Sequence, residues 1–238
     1  MKKIFLSLIY LTCMSLFFSS CKKDFLQTEP TDQYPTINVF TTTTNGFAAV
    51  NGMHRAMYQQ YSTQAQCGQG SVNITCDMLG EDLVQTSSGN GHYNAAYKWE
   101  MHRDITNADL HYIYRFYYKL IANANMILAN IDNATGPEAD KDFIRGQAYA
   151  YRGWSHFMLV QFFGQRYDAM AVPNNQLGVP ILTTNTFEGQ PRATVEEVYT
   201  QVNKDLDSAM VNLATYVRSN KSHIDLRVVQ GLKARVAL

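Results

Sequence analysis

This chain of 238 residues has no excess of charge in either direction. Twenty lysines and arginines balance 20 aspartates and glutamates, and only 17% of residues are charged. The totals give no support for a basic face for nucleic acid, and the sequence holds no disordered acidic tail. No apolar run reaches the roughly 20 residues that a membrane-spanning helix needs. Catalytic and metal signatures are missing as well. The sequence has no HExxH, no G-x-S-x-G and no P-loop, and none of His54, His92, His102, His111, His156 and His223 pairs with another at i, i+4. The acidic segment DNATGPEADKD lacks the register of a calcium loop. Adjacent acids occur at Glu81-Asp82 and Glu196-Glu197, but neighbouring helical residues point in different directions, whereas glycoside hydrolysis needs two carboxylates facing one bond. No enzyme, no metal and no cofactor is expected.

Cysteine is scarce, and its placement is informative. Residues 1–20 hold Lys2 and Lys3 and no acid, followed by an apolar run over residues 4–18 that is too short to span a membrane. The run ends in Phe18-Ser19-Ser20-Cys21, two small residues directly before a cysteine, as in a bacterial lipobox. Residues 1–20 therefore read as a lipoprotein signal peptide, with Cys21 as the lipid attachment point and mature N-terminus. Several acyl chains on one residue give stable anchoring, at roughly 0.8 kcal/mol per buried methylene. Loss of residues 1–20 leaves 18 basic against 20 acidic residues, a net charge of −2. Residues 21–36 are polar, contain Pro30 and Pro35, and read as a tether. The mature chain keeps Cys67 and Cys76, either as a short-loop disulfide in an oxidising compartment or as two unpaired thiols.

Beyond the tether, residues 37–238 read as helices. The first follows TTTTNG, with Thr44 or Asn45 as N-cap and with Phe47, Val50, His54, Met57 and Tyr61 at helical spacing. A second is expected over residues 73–84. From Asp109, a stripe of Ile113, Phe116, Tyr117, Leu120, Ile121, Ala124, Ile127, Leu128 and Ile131 marks a long amphipathic helix. Pro137 suits the first turn of the next, which runs to Gly164. Residues 165–193, with Pro173, Pro180 and Pro191, read as loop. Thr194 and Glu197 then form a capping box, and a last helix begins near Ser222. Successive helix–turn–helix pairs predict tetratricopeptide-like hairpins. The apolar pattern still runs at Leu238 without a polar cap, which predicts an N-terminal portion of a longer protein.

Four stretches, in register, resemble the SusD/RagB family. They are YRFYYKLIANANMILANI, GQAYAYRGWSHFMLVQFFG, GVPILTTNTFEGQPRATVEEVYTQVNKDLDSAM and GLKARVAL. The motif positions include Tyr114, Tyr118 and Asn125; Gly146, Arg152 and Gly164; Gly178, Pro180 and Arg192; and Asp205 and Leu206. Gly153 stands where the family has alanine, and Ala237 where it has tyrosine. The resemblance implies a mainly α, SusD-like fold with irregular loops, truncated at the C-terminus. It also implies a non-catalytic outer-membrane lipoprotein, surface-exposed, that binds glycan or other nutrient oligomers beside a SusC-like TonB-dependent transporter.

Fifteen tyrosines and 12 phenylalanines are many for this length, and most fall on helical stripes where packing is the default role. Tyr93, Tyr97 and Trp99 differ in lying within a Gly/Asn/Ser-rich loop. Aromatic rings stack on the C–H faces of sugars while polar side chains take the hydroxyls, so Tyr93, Tyr97, Trp99, Asn94 and Arg103 are the candidate ligand-binding residues. The competing reading has Trp99 plugging the loop onto the helical core. Arg152 reads as a buried arginine tying its helix to a carboxylate or carbonyl. An alternative function for the whole chain is a structural tetratricopeptide-type envelope lipoprotein that mediates protein–protein contacts. A hydrolase would need a carboxylate pair in the portion beyond Leu238.

Overall fold

The computed structural model describes residues 39–80, 83–86 and 90–238. The signal peptide, Cys21, the tether and the Glu81-Asp82 pair lie outside the described residues. Seven helices account for most of the rest: α1 (Thr43–Ala56), α2 (Gly68–Leu79), α3 (Asn94–Tyr97), α4 (Ala108–Asn130), α5 (Glu138–Phe163), α6 (Val195–Asn212) and α7 (Leu226–Val236). Among the described residues, β pairing is limited to isolated bridges, and no helix is long and apolar enough to cross a membrane.

The strongest sequence patterns become the longest helices. Every member of the α4 stripe except the half-buried Leu128 is buried. Asn107 caps the helix by accepting from the Asp109 and Leu110 amides at 3.0 Å each, satisfying two donors that the first turn leaves unpaired. α5 follows Pro137 and stops at Gly164. α6 opens on the expected capping box, in which the Glu197 amide donates to the Thr194 hydroxyl at 3.2 Å and the Thr194 amide donates to the Glu197 carboxylate at 2.8 Å.

The short helices depart from expectation. Thr42, rather than Thr44 or Asn45, caps α1. That helix also ends before Met57 and Tyr61, because the Met57 carbonyl turns to accept the Gln69 amide at 2.8 Å. α2 consequently starts five residues earlier than its apolar pattern suggests. Asp225, rather than a residue near Ser222, caps α7. Cys67 and Cys76 are free thiols. Cys67 sits at the N-cap of α2 and Cys76 nine residues on, a rise of about 13 Å, beyond the reach of a disulfide.

α5 is the central element. It packs most extensively on α6 and then on α4, with α1 and α7 also in contact. Two glycines set the distance to α6. A Cβ on Gly146 would come within 2.5 Å of Leu213 Cγ, and one on Gly153 within 3.1 Å of Asp205 Cβ. Their seven-residue spacing puts both on the same face of α5, so the helix backbones meet where side chains would otherwise hold them apart.

The interior is not purely apolar. Arg152 of α5 grips Asp205 of α6 with two parallel bonds, Nε to Oδ2 at 2.9 Å and Nη2 to Oδ1 at 2.6 Å. Its Nη1 donates to Asn125 of α4 at 2.9 Å and to the Thr183 carbonyl at 3.3 Å. Gln201 supplies Asp205 with a further donor at 2.9 Å. Arg152 and Asp205 are both buried, so this is the buried-arginine role expected from sequence, with the partners now identified.

The same network fastens the segment between α5 and α6. Tyr118 donates to the Pro180 carbonyl at 2.8 Å, and Asn125 to that of Leu182 at 3.0 Å. Arg192 reaches back to the carbonyls of Gly178 at 2.7 Å and Phe163 at 2.8 Å. Asn174, fully buried, exchanges bonds with the Asp168 backbone and receives Gln176. The segment is irregular, yet it is held at both ends and the middle. Buried His156 completes the attachment. Its Nε2 accepts the Leu182 amide at 3.3 Å, so Nδ1 carries the proton and faces the Arg152 carbonyl at 3.1 Å.

Two outcomes follow from this packing. Gly146→Ala should destabilise the protein by roughly 1–3 kcal/mol, because the new methyl must displace Leu213. Gly52→Ala, exposed on α1 with nothing within 4 Å, should stabilise it by about 0.5–1 kcal/mol; urea denaturation midpoints report both signs. The second outcome concerns pH. Burial, reinforced by the Arg152 charge, lowers the His156 pKa from 6.5 to about 4. Between those values the unfolded chain binds a proton that the folded chain does not, so stability falls as pH drops through that window. The ring's share of the loss is on the order of 2–3 kcal/mol by pH 4.5, and denaturation of His156→Gln at pH 7 and 4.5 should show a correspondingly smaller drop.

Candidate functional site

The loop between α2 and α4 is built around the single turn of α3. Tyr93 enters it in the left-handed conformation, with φ +62°. The exit follows the Schellman pattern: the Trp99 amide returns to the Ala96 carbonyl at 3.0 Å and the Glu100 amide to that of Ala95 at 2.8 Å. This pattern requires a left-handed residue immediately after the cap, a place usually taken by glycine. Here Trp99 fills it at φ +57°. A side chain in that conformation costs roughly 1–2 kcal/mol relative to the right-handed one. Buried Ala96 and Met101 pin the turn from beneath.

The strained residue does not repay its cost by filling the core. Trp99 is 49% exposed, which overturns its reading as a plug on the helical scaffold. Its ring meets the edge of His102 at 6.0 Å between centroids, and Arg103 Nε donates to the Trp99 carbonyl at 3.1 Å. Trp99, His102 and Arg103 are all exposed and stand together on one turn.

The five candidates from sequence therefore divide. Trp99 and Arg103 face outward. Tyr93 is half-buried, its hydroxyl donating to the Gln64 carbonyl at 3.1 Å, and burial raises its pKa. Asn94 is engaged by the Gln85 amide. These two stitch the loop to its surroundings. Tyr97 is half-buried within α3. His102 escaped sequence reasoning, although its position three residues after Trp99 is the spacing that one 3-10 turn, Met101–Arg103, brings onto the same side.

Chemically, the cluster offers an aromatic face, guanidinium donors and an imidazole. The nearby Asp104 accepts from the Thr106 hydroxyl at 2.7 Å and amide at 2.8 Å, and these bonds hold its carboxyl below the usual range. Among the described residues, no group of three or more His, Cys, Asp or Glu side chains could hold a metal ion.

A mainly helical scaffold, with an irregular stitched segment and an aromatic turn on its surface, is the class of protein defined here. The chain belongs to the SusD-like family: the family model described as "Starch-binding associating with outer membrane" matches residues 24–238. No curated protein sequence matches the chain. Among solved structures it is similar to a SusD-like carbohydrate-binding protein from Bacteroides vulgatus, with 29% identity and a TM-score of 0.71 over 83% of this chain and 41% of that one. A SusD superfamily protein from Bacteroides fragilis shares the fold at 20% identity and TM-score 0.67, over 83% of this chain and 46% of that one. A laminarin-binding SusD-like protein does so at 19% identity and TM-score 0.61, over 83% and 40%. The chain thus spans less than half the length of these relatives.

The strain at Trp99 is testable without a ligand. Trp99→Gly and Trp99→Ala both remove the ring, but only glycine tolerates φ +57°. Thermal melting should find Trp99→Gly more stable than Trp99→Ala by roughly 1 kcal/mol.

Proposed function

We infer that this protein captures glycan or other nutrient oligomers at the cell surface without chemically altering them. It passes them to a SusC-like TonB-dependent transporter in the outer membrane. Trp99, held out into solvent at an energetic cost, is the observation that carries this reading, because strain maintained away from the core points to a ligand. The indole would stack on the apolar face of a sugar, with Arg103 and His102 donating to its hydroxyls. Family membership supports a carbohydrate ligand, and the laminarin-binding relative makes a β-1,3-glucan the first candidate.

Residues 1–20 serve as a lipoprotein signal in this reading. Cys21 carries the lipid that anchors the chain to the outer membrane, residues 21–36 form the tether, and residues 37–238 form the N-terminal helical region. Stable anchoring by this route needs no spanning helix.

Titration calorimetry with β-1,3-glucan oligosaccharides should give saturable binding, weakened several-fold to tenfold by Trp99→Ala. Chromatography of the recovered sugar should show its length unchanged. Shortened products would defeat the non-catalytic claim, and an unaltered affinity in Trp99→Ala would remove the ligand site from this turn.

A further inference from the structure

A second surface has the make-up of a ligand site, and none of Trp99, His102 and Arg103 lines it. It is a groove of about 320 Å³ between the end of α1 and the first half of α4, formed chiefly by Gln59, Gln60, Tyr61, Tyr112, Arg115 and Lys119. Its floor is rigid. Tyr112 is buried and stacks on Phe116 at 5.7 Å, and its hydroxyl accepts the Gly68 amide at 2.7 Å. Tyr61 stands above it, 66% exposed, with its ring 6.2 Å from that of Tyr112.

Arg115 lies over the Tyr61 ring, with the guanidinium carbon 5.3 Å from the centroid. Among the described residues the Arg115 side chain makes no hydrogen bond or ion pair, so its N–H donors stay available to a ligand. Lys119 follows one turn later on α4. Like charges at i, i+4 repel, and among the described residues neither cation has an acidic partner. Among the described residues no acid lines the groove. Asp109, on the same helix, is occupied in accepting Gln66 at 2.9 Å. Two adjacent unneutralised cations beside an exposed aromatic ring call for an occupant with a negative charge and an apolar face.

The geometry points to this groove as a binding site for an acidic saccharide, in which Arg115 and Lys119 pair with the anionic substituent while Tyr61 covers the sugar's C–H face and Gln59 and Gln60 take hydroxyls. The assignment rests on the reading of the protein as a glycan binder and narrows it to sugars bearing a carboxylate or sulfate. A groove of this size holds one or two sugar rings. Attraction between the cations and the ligand would weaken with salt, since both lie at the surface.

Calorimetry on the full chain separates the possibilities, using a galacturonate oligomer, a sulfated chondroitin oligomer and an uncharged β-1,3-glucan oligomer. The variants are Arg115→Gln/Lys119→Gln, at exposed positions where folding should be unaffected, and Tyr61→Ala, with circular dichroism as the check on fold. The expected result is galacturonate binding that weakens between 50 and 300 mM salt and falls by roughly tenfold or more in the double variant. Uncharged glucan binding should be unchanged by that variant. Chondroitin binding with the same sensitivity keeps the acidic-saccharide assignment; its loss on chemical desulfation of the oligomer makes the substituent the sulfate, and its persistence makes it the uronate carboxylate. Glucan binding without binding of either acidic oligomer overturns the groove while leaving glycan capture standing. Acidic-oligomer binding that ignores the double variant also overturns it, and binding of no oligomer overturns both readings.

Discussion

The bidentate pair between Arg152 and Asp205 is the constraint around which the rest is arranged. A guanidinium and a carboxylate buried together are costly to desolvate, and they are tolerated only when nearly every donor and acceptor is satisfied. Asn125, Gln201 and the Thr183 carbonyl supply those partners, and each comes from a different piece of chain. The pair thereby fixes the relative positions of α4, α5, α6 and the segment before α6. Apolar contacts alone permit helices to slide; a network with fixed donor directions does not. Gly153 belongs to the same arrangement, since its missing side chain lets α6 come close enough for Asp205 to reach Arg152.

Seen from this network, the family-like stretches acquire physical roles. Tyr118 and Asn125 project from one face of α4, two turns apart, to hold the carbonyls of Pro180 and Leu182. Arg192 takes a carbonyl that the end of α5 leaves without a helical partner, and joins it to Gly178. Motifs far apart in sequence are two sides of the same bonds. The irregular segment between α5 and α6 is thus fastened by helix side chains together with its own Asn174 and Arg192 and a few backbone bonds.

What was legible in the sequence follows from where the determining interactions lie. The long helices were readable because a 3.6-residue period over six or seven turns is local information, as are Thr194 with Glu197 and Gly164 at their ends. The boundaries of α1 and α2 were not, since they depend on the Met57 carbonyl meeting the Gln69 amide across a turn. Asp205 as the partner of Arg152 lies 53 residues away, and no local rule selects it. At the surface, the aromatic loop was identified, but the division of its residues into inward and outward sets was not. Composition cannot reveal that a tryptophan occupies a glycine's place at a helix end. The groove beside α4 stayed hidden for a similar reason: Tyr61 and Arg115 meet only because α1 stops before Tyr61.

The left-handed turn at Trp99 bears on how this surface can change over generations. The conformational penalty there belongs to the backbone, so it is nearly the same for tryptophan, tyrosine or phenylalanine. Exchanging one aromatic ring for another would alter the face offered to a ligand while leaving the helical scaffold untouched. In the glycan-capture reading proposed above, a single codon could therefore retune ligand preference without disturbing the buried network beneath.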